Sequence, residues 1–212
     1  KAPDGSLRPT AAGLLMFGRT EDITRRFPGY RLDYEEYLGG EGTLSFRLCS
    51  DDGTWSGNLL DFYLQVCARM LHAVDKHPKE EGDVHQALKE AVANALIHAN
   101  YEGGQGIVIT RRPEEIVISN PGCLRISPDE AVQGGRADPR NAVLTQLFHL
   151  IRAGRRTGSG IPYIRAVWAS EGWQFPQLTE QFGPDRTTLS LPVQSGAART
   201  GGRGIAVLDY LT

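Results

Sequence analysis

Three polar side chains recur at four-residue intervals in a largely apolar run between positions 88 and 98. They are Glu90, Asn94 and His98. Four residues make slightly more than one helical turn, so the three side chains fall on one stripe of a helix that we predict over 84–98. A carboxylate can take a proton from water, and an amide oxygen can bind a hard cation. The stripe therefore indicates metal and phosphate chemistry; the alternative is a solvated polar stripe.

Two glycine-containing turns are weaker candidates. Thr157-Gly158-Ser159-Gly160 precedes a predicted helix, and glycines let the backbone approach a phosphate at a helix N-terminus. A Gly-x-Gly at such a place is more often a simple turn. Asn120-Pro121-Gly122 ends a predicted strand, where a turn is the default interpretation. Between them lie Arg136 and Arg140, which could meet phosphate or merely be solvated.

Composition narrows the class of protein. The chain has 212 residues, 40% of them hydrophobic, and a formal net charge of -2, so bulk charge does not attract it to nucleic acid or membrane. Its three cysteines are far apart and form no Cys-x-x-Cys pair, so the sequence supports neither a zinc knuckle nor a disulfide framework and favours a reducing compartment. Without a long apolar run or signal peptide, we expect a cytoplasmic location and no membrane partner. The start at Lys1 suggests a fragment of a longer protein.

The predicted elements build a two-layer α/β sandwich, with a mixed, mostly antiparallel sheet and helices on one face. Helices are predicted after Thr10, over 59–74, over 84–98, after Ser127, over 142–152 and over 161–171, and strands in 31–48, 107–110, 115–119 and 187–191. One domain is expected over 1–193, followed by a Gly-rich basic linker over 194–204 and the start of a truncated segment over 205–212. The sequence has no P-loop and no Gly-x-Ser-x-Gly elbow. We interpret His72, His77, His85 and His149 as structural or surface residues, since they lack metal-ligand spacing.

The order of the motifs resembles the GHKL superfamily of Bergerat-fold ATPases. It is more similar to the ATPase-like domain of bacterial RecG-related transcriptional regulators, where that domain follows a Schlafen-type AlbA-2 DNA-binding domain and precedes a winged helix. The motifs that carry the resemblance are Thr10 to Gly18, Glu90-x-x-x-Asn94-Ala-x-x-His98, Ile118 to Gly122, Pro139-Arg140-Asn141 and Gly158 to Ile161. The resemblance implies ATP and Mg²⁺ as cofactors, with DNA contacted through flanking domains absent from this chain.

The resemblance also implies roles for individual residues. Glu90 would be the general base that orients the attacking water, and Asn94 would ligate the magnesium. Asn120 would recognise the adenine amino group, with room for the base at Gly122. Gly158 and Gly160 would wrap the phosphates at the lid, and Thr188 would support the base from the final strand. The complete set of residues implied to bind the cofactor is Asn94, His98, Asn120, Gly122, Gly158, Gly160 and Thr188.

Two departures from the family pattern favour nucleotide binding over hydrolysis. The family usually has His-Arg-Asp-Tyr where this chain has His98-Ala99-Asn100-Tyr101, so an arginine and an acid are missing at the mouth of the site. Asn120 stands where the ATPases have an acid, and an amide accepts a hydrogen bond without charge. We therefore expect a regulatory ATP-binding domain whose segment 122–160 becomes ordered as a lid when nucleotide binds. Weak ATPase activity is left as an open question.

Two other functions stay open. The chain could be a degenerate scaffold that dimerises, as a homodimer, or presents flanking DNA-binding domains without nucleotide turnover. It could also bind DNA directly through the basic clusters at 152–156 and 199–203, although such short clusters are usually solvated surface.

Overall fold

A computed structural model describes residues 9–39, 42–74, 82–155 and 158–193, with backbone alone for 71–74. The helices of this part of the chain are α1 (Ala11–Phe17), α2 (Thr20–Arg26), α3 (Leu59–Val74), α4 (Asp83–His98), α5 (Pro128–Gln133), α6 (Ala142–Leu150) and α7 (Gly160–Ser170). Its strands are β1 (Leu32–Glu36), β2 (Phe46–Cys49), β3 (Ile107–Arg111), β4 (Glu115–Pro121), β5 (Gln177–Gln181) and β6 (Arg186–Pro192). The predicted linker and the segment after it lie outside the described residues.

The strands form one mixed sheet in the order β2-β1-β3-β4-β6-β5. Strands β1 and β3 pair in parallel, and the other neighbours pair antiparallel. Parallel neighbours need a long crossover connection, and the chain between β1 and β3 supplies one through β2, α3 and α4. The predicted α/β sandwich with a mixed, mostly antiparallel sheet is confirmed.

Strand register places apolar side chains in rows on the helix-covered face. One row crosses the whole sheet through directly paired positions: Leu48, Tyr34, Ile109, Ile118, Leu189 and Leu178. The opposite face carries polar residues such as Ser119 and Thr188, which are partly exposed. A sheet with one solvated face is expected to alternate in this way.

Helix α4 is the central helix of the molecule. It packs against α3, α7 and β4, and most of its residues are buried, as a helix that is apolar nearly all round should be. It begins at Asp83, one residue before the predicted start. The buried position of α4 means that any polar side chain on it must face a partner or a cavity.

Other predicted elements are found with small shifts, and two elements were not predicted. Thr10 caps α1 by accepting a hydrogen bond from the backbone N–H of Gly13 at 3.1 Å, and Ser127 starts α5 with a capping box. The two elements that were not predicted are helix α2 and strand β5. Helix α2 buries only Ile23, and the edge strand β5 is mostly polar, so neither has a clear apolar period. Strand β2 begins at Phe46, inside the region 31–48 where strands were predicted, and ends at Cys49.

Within the described residues, no helix is both long enough and apolar enough to cross a membrane. All three cysteines are free thiols; Cys49 and Cys67 are buried and Cys123 is partly exposed. The prediction against a disulfide framework is consistent with this arrangement.

Candidate functional site

A cavity lies between α4 and the ends of β4 and β6. It encloses about 770 Å³, including the part open to solvent. Six residues that the sequence singled out line this cavity: Asn94, His98, Asn120, Arg136, Gly158 and Gly160. The structure therefore brings together residues that are up to 66 positions apart in the chain.

A smaller space of about 370 Å³ adjoins the first cavity and contains the third member of the α4 stripe. Glu90 lines it together with Asn94 and His98, and the two spaces share Gly158 and Gly160 as well. The stripe is thus not a solvated surface feature. It faces an interior site, with Glu90 at the deep end.

Glu90 is 5% exposed, and two donors hold its carboxylate. The side-chain amide of Asn94 and the backbone N–H of Arg155 both hydrogen-bond to it. Burial raises the pKa of Glu90, while these two hydrogen bonds and the Arg155 charge act in the opposite direction. A raised pKa suits a general base at neutral pH. Because the amide nitrogen of Asn94 is used by Glu90, its amide oxygen is left to accept a hydrogen bond or bind a cation.

The glycine turn before α7 packs tightly against this pair. A Cβ atom on Gly160 would lie 2.6 Å from Nδ2 of Asn94, and closer still to Oε1 of Glu90. Gly158 has φ +77°, and a Cβ on it would lie 2.6 Å from the backbone nitrogen of Arg136. A side chain at either position would therefore displace its neighbours, since the turn passes between α4 and the loop that carries Arg136.

Two directly paired strand residues form the floor of the cavity. Asn120 on β4 pairs with Thr187 on β6, and each is 7% exposed. The Thr187 hydroxyl donates to the carbonyl oxygen of Gly122 at 2.7 Å, and Nδ2 of Asn120 donates to the carbonyl oxygen of Pro121 at 3.3 Å. The hydroxyl proton of Thr187 is thus committed, so this residue offers the cavity an acceptor.

Thr188, which the sequence interpretation placed against the base, lies on the other face of the sheet. Its hydroxyl is 3.0 Å from that of Ser119, because neighbouring residues of a strand point to opposite faces. Thr187 takes the position in the cavity. The signal for it was present in the sequence, since Thr187 shares its period-two phase with Leu189 and Leu191, which are buried.

Gly122 is at the end of β4 but does not line either cavity within the described residues. Its φ of +93° favours glycine, and a Cβ on it would lie 2.9 Å from Nε of Arg140. The space that Gly122 leaves is therefore occupied by an arginine of the loop between α5 and α6.

His98 sits where the two cavities meet and is partly buried. Burial lowers its pKa, the nearby Arg140 charge lowers it further, and Asp138 opposes both. A lowered pKa keeps the imidazole neutral at pH 7. His98 can therefore donate and accept hydrogen bonds in the site without adding charge.

Two arginines of the cavity wall have acidic partners. Arg136 contacts Glu130 at 2.9 Å, and Arg125 contacts Asp138 at 3.0 Å. All four side chains are at least 42% exposed, and exposed ion pairs contribute only about 0–1 kcal/mol. An anionic ligand could therefore replace the acidic partner of either arginine at little cost in free energy.

The histidines outside the stripe have structural contacts where they are described. Nε2 of His85 lies 3.1 Å from the carbonyl oxygen of Cys67, and Nε2 of His149 lies 3.2 Å from that of Arg155. His77 and the side chain of His72 lie outside the described part. Among the residues that are described, no group of three or more His, Cys, Asp or Glu side chains could hold a metal ion.

Comparison with known families supports an ATPase-like domain. Residues 104–189 match the family described as "Putative ATP-dependent DNA helicase recG C-terminal". This stretch of the chain is therefore similar to an ATPase-like domain related to RecG. It includes the cavity floor and the glycine turn, and it begins after α4. Residues 1–33 match a domain of unknown function, DUF8451.

The fold is also found in a solved structure. The crystal structure of the DIP2311 protein from Corynebacterium diphtheriae superposes with a TM-score of 0.65 at 17% sequence identity. The similarity covers 86% of this chain and 36% of that one, so the present chain spans about a third of that protein. At this identity the likeness concerns the fold alone. A search of curated proteins finds no match.

Proposed function

We propose that this chain is an ATP-binding regulatory domain that uses Mg²⁺, in a protein that contacts DNA through other domains. One observation carries the proposal. Polar residues from α4, from the end of β4 and from the glycine turn converge on a single cavity between a helix and a sheet. The match of residues 104–189 to a RecG-related ATPase-like family supports the same function independently of α4.

The cavity floor suits a base that carries an amino group. The hydroxyl proton of Thr187 is donated to Gly122, so its oxygen can accept from such a group. The amide oxygen of Asn120 can do the same, with no charge. The apolar walls, which include Ile118 and Leu189, suit the faces of an aromatic ring.

The phosphate groups would lie toward the glycine turn and the N-terminus of α7. Gly158 and Gly160 line both cavities, and backbone N–H groups at a helix N-terminus favour anions. The nearby Arg136 is held only by an exposed ion pair, so it could exchange Glu130 for a phosphate. This placement puts the phosphates beside Asn94 and Glu90.

The residues present fit a magnesium ion bound together with a nucleotide. Mg²⁺ in such sites takes one or two protein oxygens and completes its shell with phosphate and water, so a cluster of acids is not needed. The amide oxygen of Asn94 is the ligand that we propose for this ion. The bound ion would neutralise phosphate charge in the site.

Glu90 is positioned as the base that would activate water, but its surroundings favour binding over turnover. Its carboxylate already accepts from Asn94 and from the Arg155 backbone, and Gly160 covers it. We propose that nucleotide binding mainly changes the arrangement of the segment between β4 and α7, which contains α5 and α6, and that hydrolysis is slow. Residues 122–155 of that segment are called the lid segment below.

The test is thermal unfolding of wild type and Asn94→Ala with and without Mg-ATP. A ligand that binds only the folded state adds about 2.7 kcal/mol of stability at a hundredfold excess over Kd. We expect wild type to be stabilised and Asn94→Ala to lose most of the effect. If wild type does not respond, the proposed function is wrong, and a scaffold that dimerises becomes the better hypothesis. Light scattering would test that alternative.

A further inference from the structure

The Pro139-Arg140-Asn141 motif of the lid segment has no part in the proposed nucleotide contacts, yet it makes specific contacts. Nδ2 of Asn141 donates to the carbonyl oxygens of Ile97 at 2.8 Å and Ala99 at 2.9 Å. Carbonyl groups at a helix C-terminus have no partner within the helix. Asn141 therefore ties the start of α6 to the end of α4, on either side of His98.

The preceding residue contacts the opposite side of the site. Nη2 of Arg140 donates to the carbonyl oxygen of Cys123 at 2.6 Å, and the guanidinium lies against Gly122. Within the described residues, the buried Nε of Arg140 has no hydrogen-bond partner. The position of this side chain is thus determined by the turn that follows Asn120.

Two neighbouring residues of the lid segment consequently hold the two walls of the cavity. One wall is α4, with Asn94 and His98, and the other is the end of β4, with Asn120. We propose that Arg140 and Asn141 act as a clamp that positions these walls and thereby sets the affinity for Mg-ATP. This inference rests on the proposed function. Both are positioning residues, because neither lines the cavities described above.

A simple helix-capping role makes a different prediction from a clamp. Asn141→Ala removes both hydrogen bonds from the lid segment to the end of α4, so the lid segment no longer ties α4 to the turn after β4. A clamp predicts that Kd for Mg-ATP rises by about tenfold, as for the loss of one to two net hydrogen bonds. A cap that only stabilises the fold predicts lower thermal stability with an unchanged Kd.

Asn58 provides a matched control. Its side chain also makes two backbone contacts, accepting from the N–H of Asp61 at 2.9 Å and donating to the carbonyl oxygen of Gly18 at 3.2 Å. It does not line either cavity described above. We expect Asn58→Ala to lower the unfolding temperature and leave Kd unchanged.

The experiment is calorimetric titration of Mg-ATP into wild type, Asn141→Ala, Asn58→Ala and Arg140→Met, at a temperature where each is folded. Arg140→Met keeps the clamp testable if Asn141→Ala does not fold, and it should also weaken binding by about tenfold. The clamp is supported if Arg140→Met and Asn141→Ala lose affinity for Mg-ATP and Asn58→Ala does not. It is overturned if wild type binds and all variants bind alike, or if Asn58→Ala loses as much affinity. Absence of binding by wild type overturns the proposed function, and the clamp with it.

Discussion

Replacing Gly160 by alanine adds a single methyl group between the turn and the α4 stripe. Gly160 is the first residue of α7, and its φ lies outside the left-handed region, so the backbone tolerates alanine. Helix propensity alone would favour the variant by at most about 1 kcal/mol, the value for a helix interior. The new methyl group, however, would lie 2.6 Å from Nδ2 of Asn94 and closer to Oε1 of Glu90. Either the turn or the two side chains must move.

The size of the movement follows from ordinary contact distances. Van der Waals contacts of a Cβ atom begin near 3.4 Å, so a displacement of roughly 1 Å is required. Overpacking of this kind costs about 1–3 kcal/mol, which the helix preference partly offsets. We expect the free energy of unfolding to fall by about 0–2 kcal/mol. Because Asn94 is displaced from the proposed magnesium position, the affinity for Mg-ATP should fall by about tenfold or more.

Urea denaturation and calorimetric titration measure the two quantities separately. Gly39→Ala is the control, since its nearest neighbour, Cβ of Thr43, would be at an ordinary 3.6 Å and the position is away from the cavity. If Gly160→Ala is more stable than wild type and binds Mg-ATP equally well, the close packing of the turn on α4 is refuted. If stability falls while Kd is unchanged, the packing holds and the role of Asn94 in binding is wrong.

Two further substitutions test the deep end and the floor of the site. Burial raises the pKa of Glu90, so the folded state binds the carboxyl proton of Glu90 more tightly than the unfolded state does. The free energy of unfolding therefore falls as pH rises above the ordinary glutamate pKa of 4.5. In thermal scans, Glu90→Gln should therefore unfold at a higher temperature than wild type at pH 7, and the difference should vanish near pH 4. A lower unfolding temperature of Glu90→Gln at pH 7 would contradict the direction of the pKa shift. Thr187→Val removes a hydroxyl that donates to Gly122, so it should cost about 1 kcal/mol in urea denaturation and weaken Mg-ATP binding. Thr188→Val, on the other face, should leave Kd unchanged, and an equal loss of affinity in both variants would argue against the assigned floor.

The elements with a strong apolar period were predictable from the sequence. Helix α4 is buried on nearly all sides, so its apolar content identified it, and the three polar residues in that context indicated the site. Helix α5 was predictable from its Ser127 capping box. Helix α2 and strand β5 were missed because each buries little apolar surface and is defined by packing and pairing that sequence does not reveal.

The clamp between the lid segment and α4 was beyond prediction for a different reason. Asn141 follows α4 by more than forty residues, and its partners Ile97 and Ala99 contribute only backbone carbonyls, which have no signature in the sequence. The motif could be recognised, but its contacts depend on where α5 and α6 return the chain. Long-range contacts to main-chain atoms are therefore the part of this site that requires a structure.

The location of the cavity floor follows from how the two apolar rows of β4 and β6 end. Ile116 and Ile118 continue into Asn120 on one strand, and Leu191 and Leu189 continue into Thr187 on the other, always on the helix-covered face. The antiparallel register pairs the two polar ends directly, so the core becomes a polar floor at a single level of the sheet. On the solvated face the next pair is Ser119 with Thr188, which offers similar hydroxyl chemistry. Residue type alone could not separate the two threonines; the phase of the apolar alternation does, and it selects Thr187.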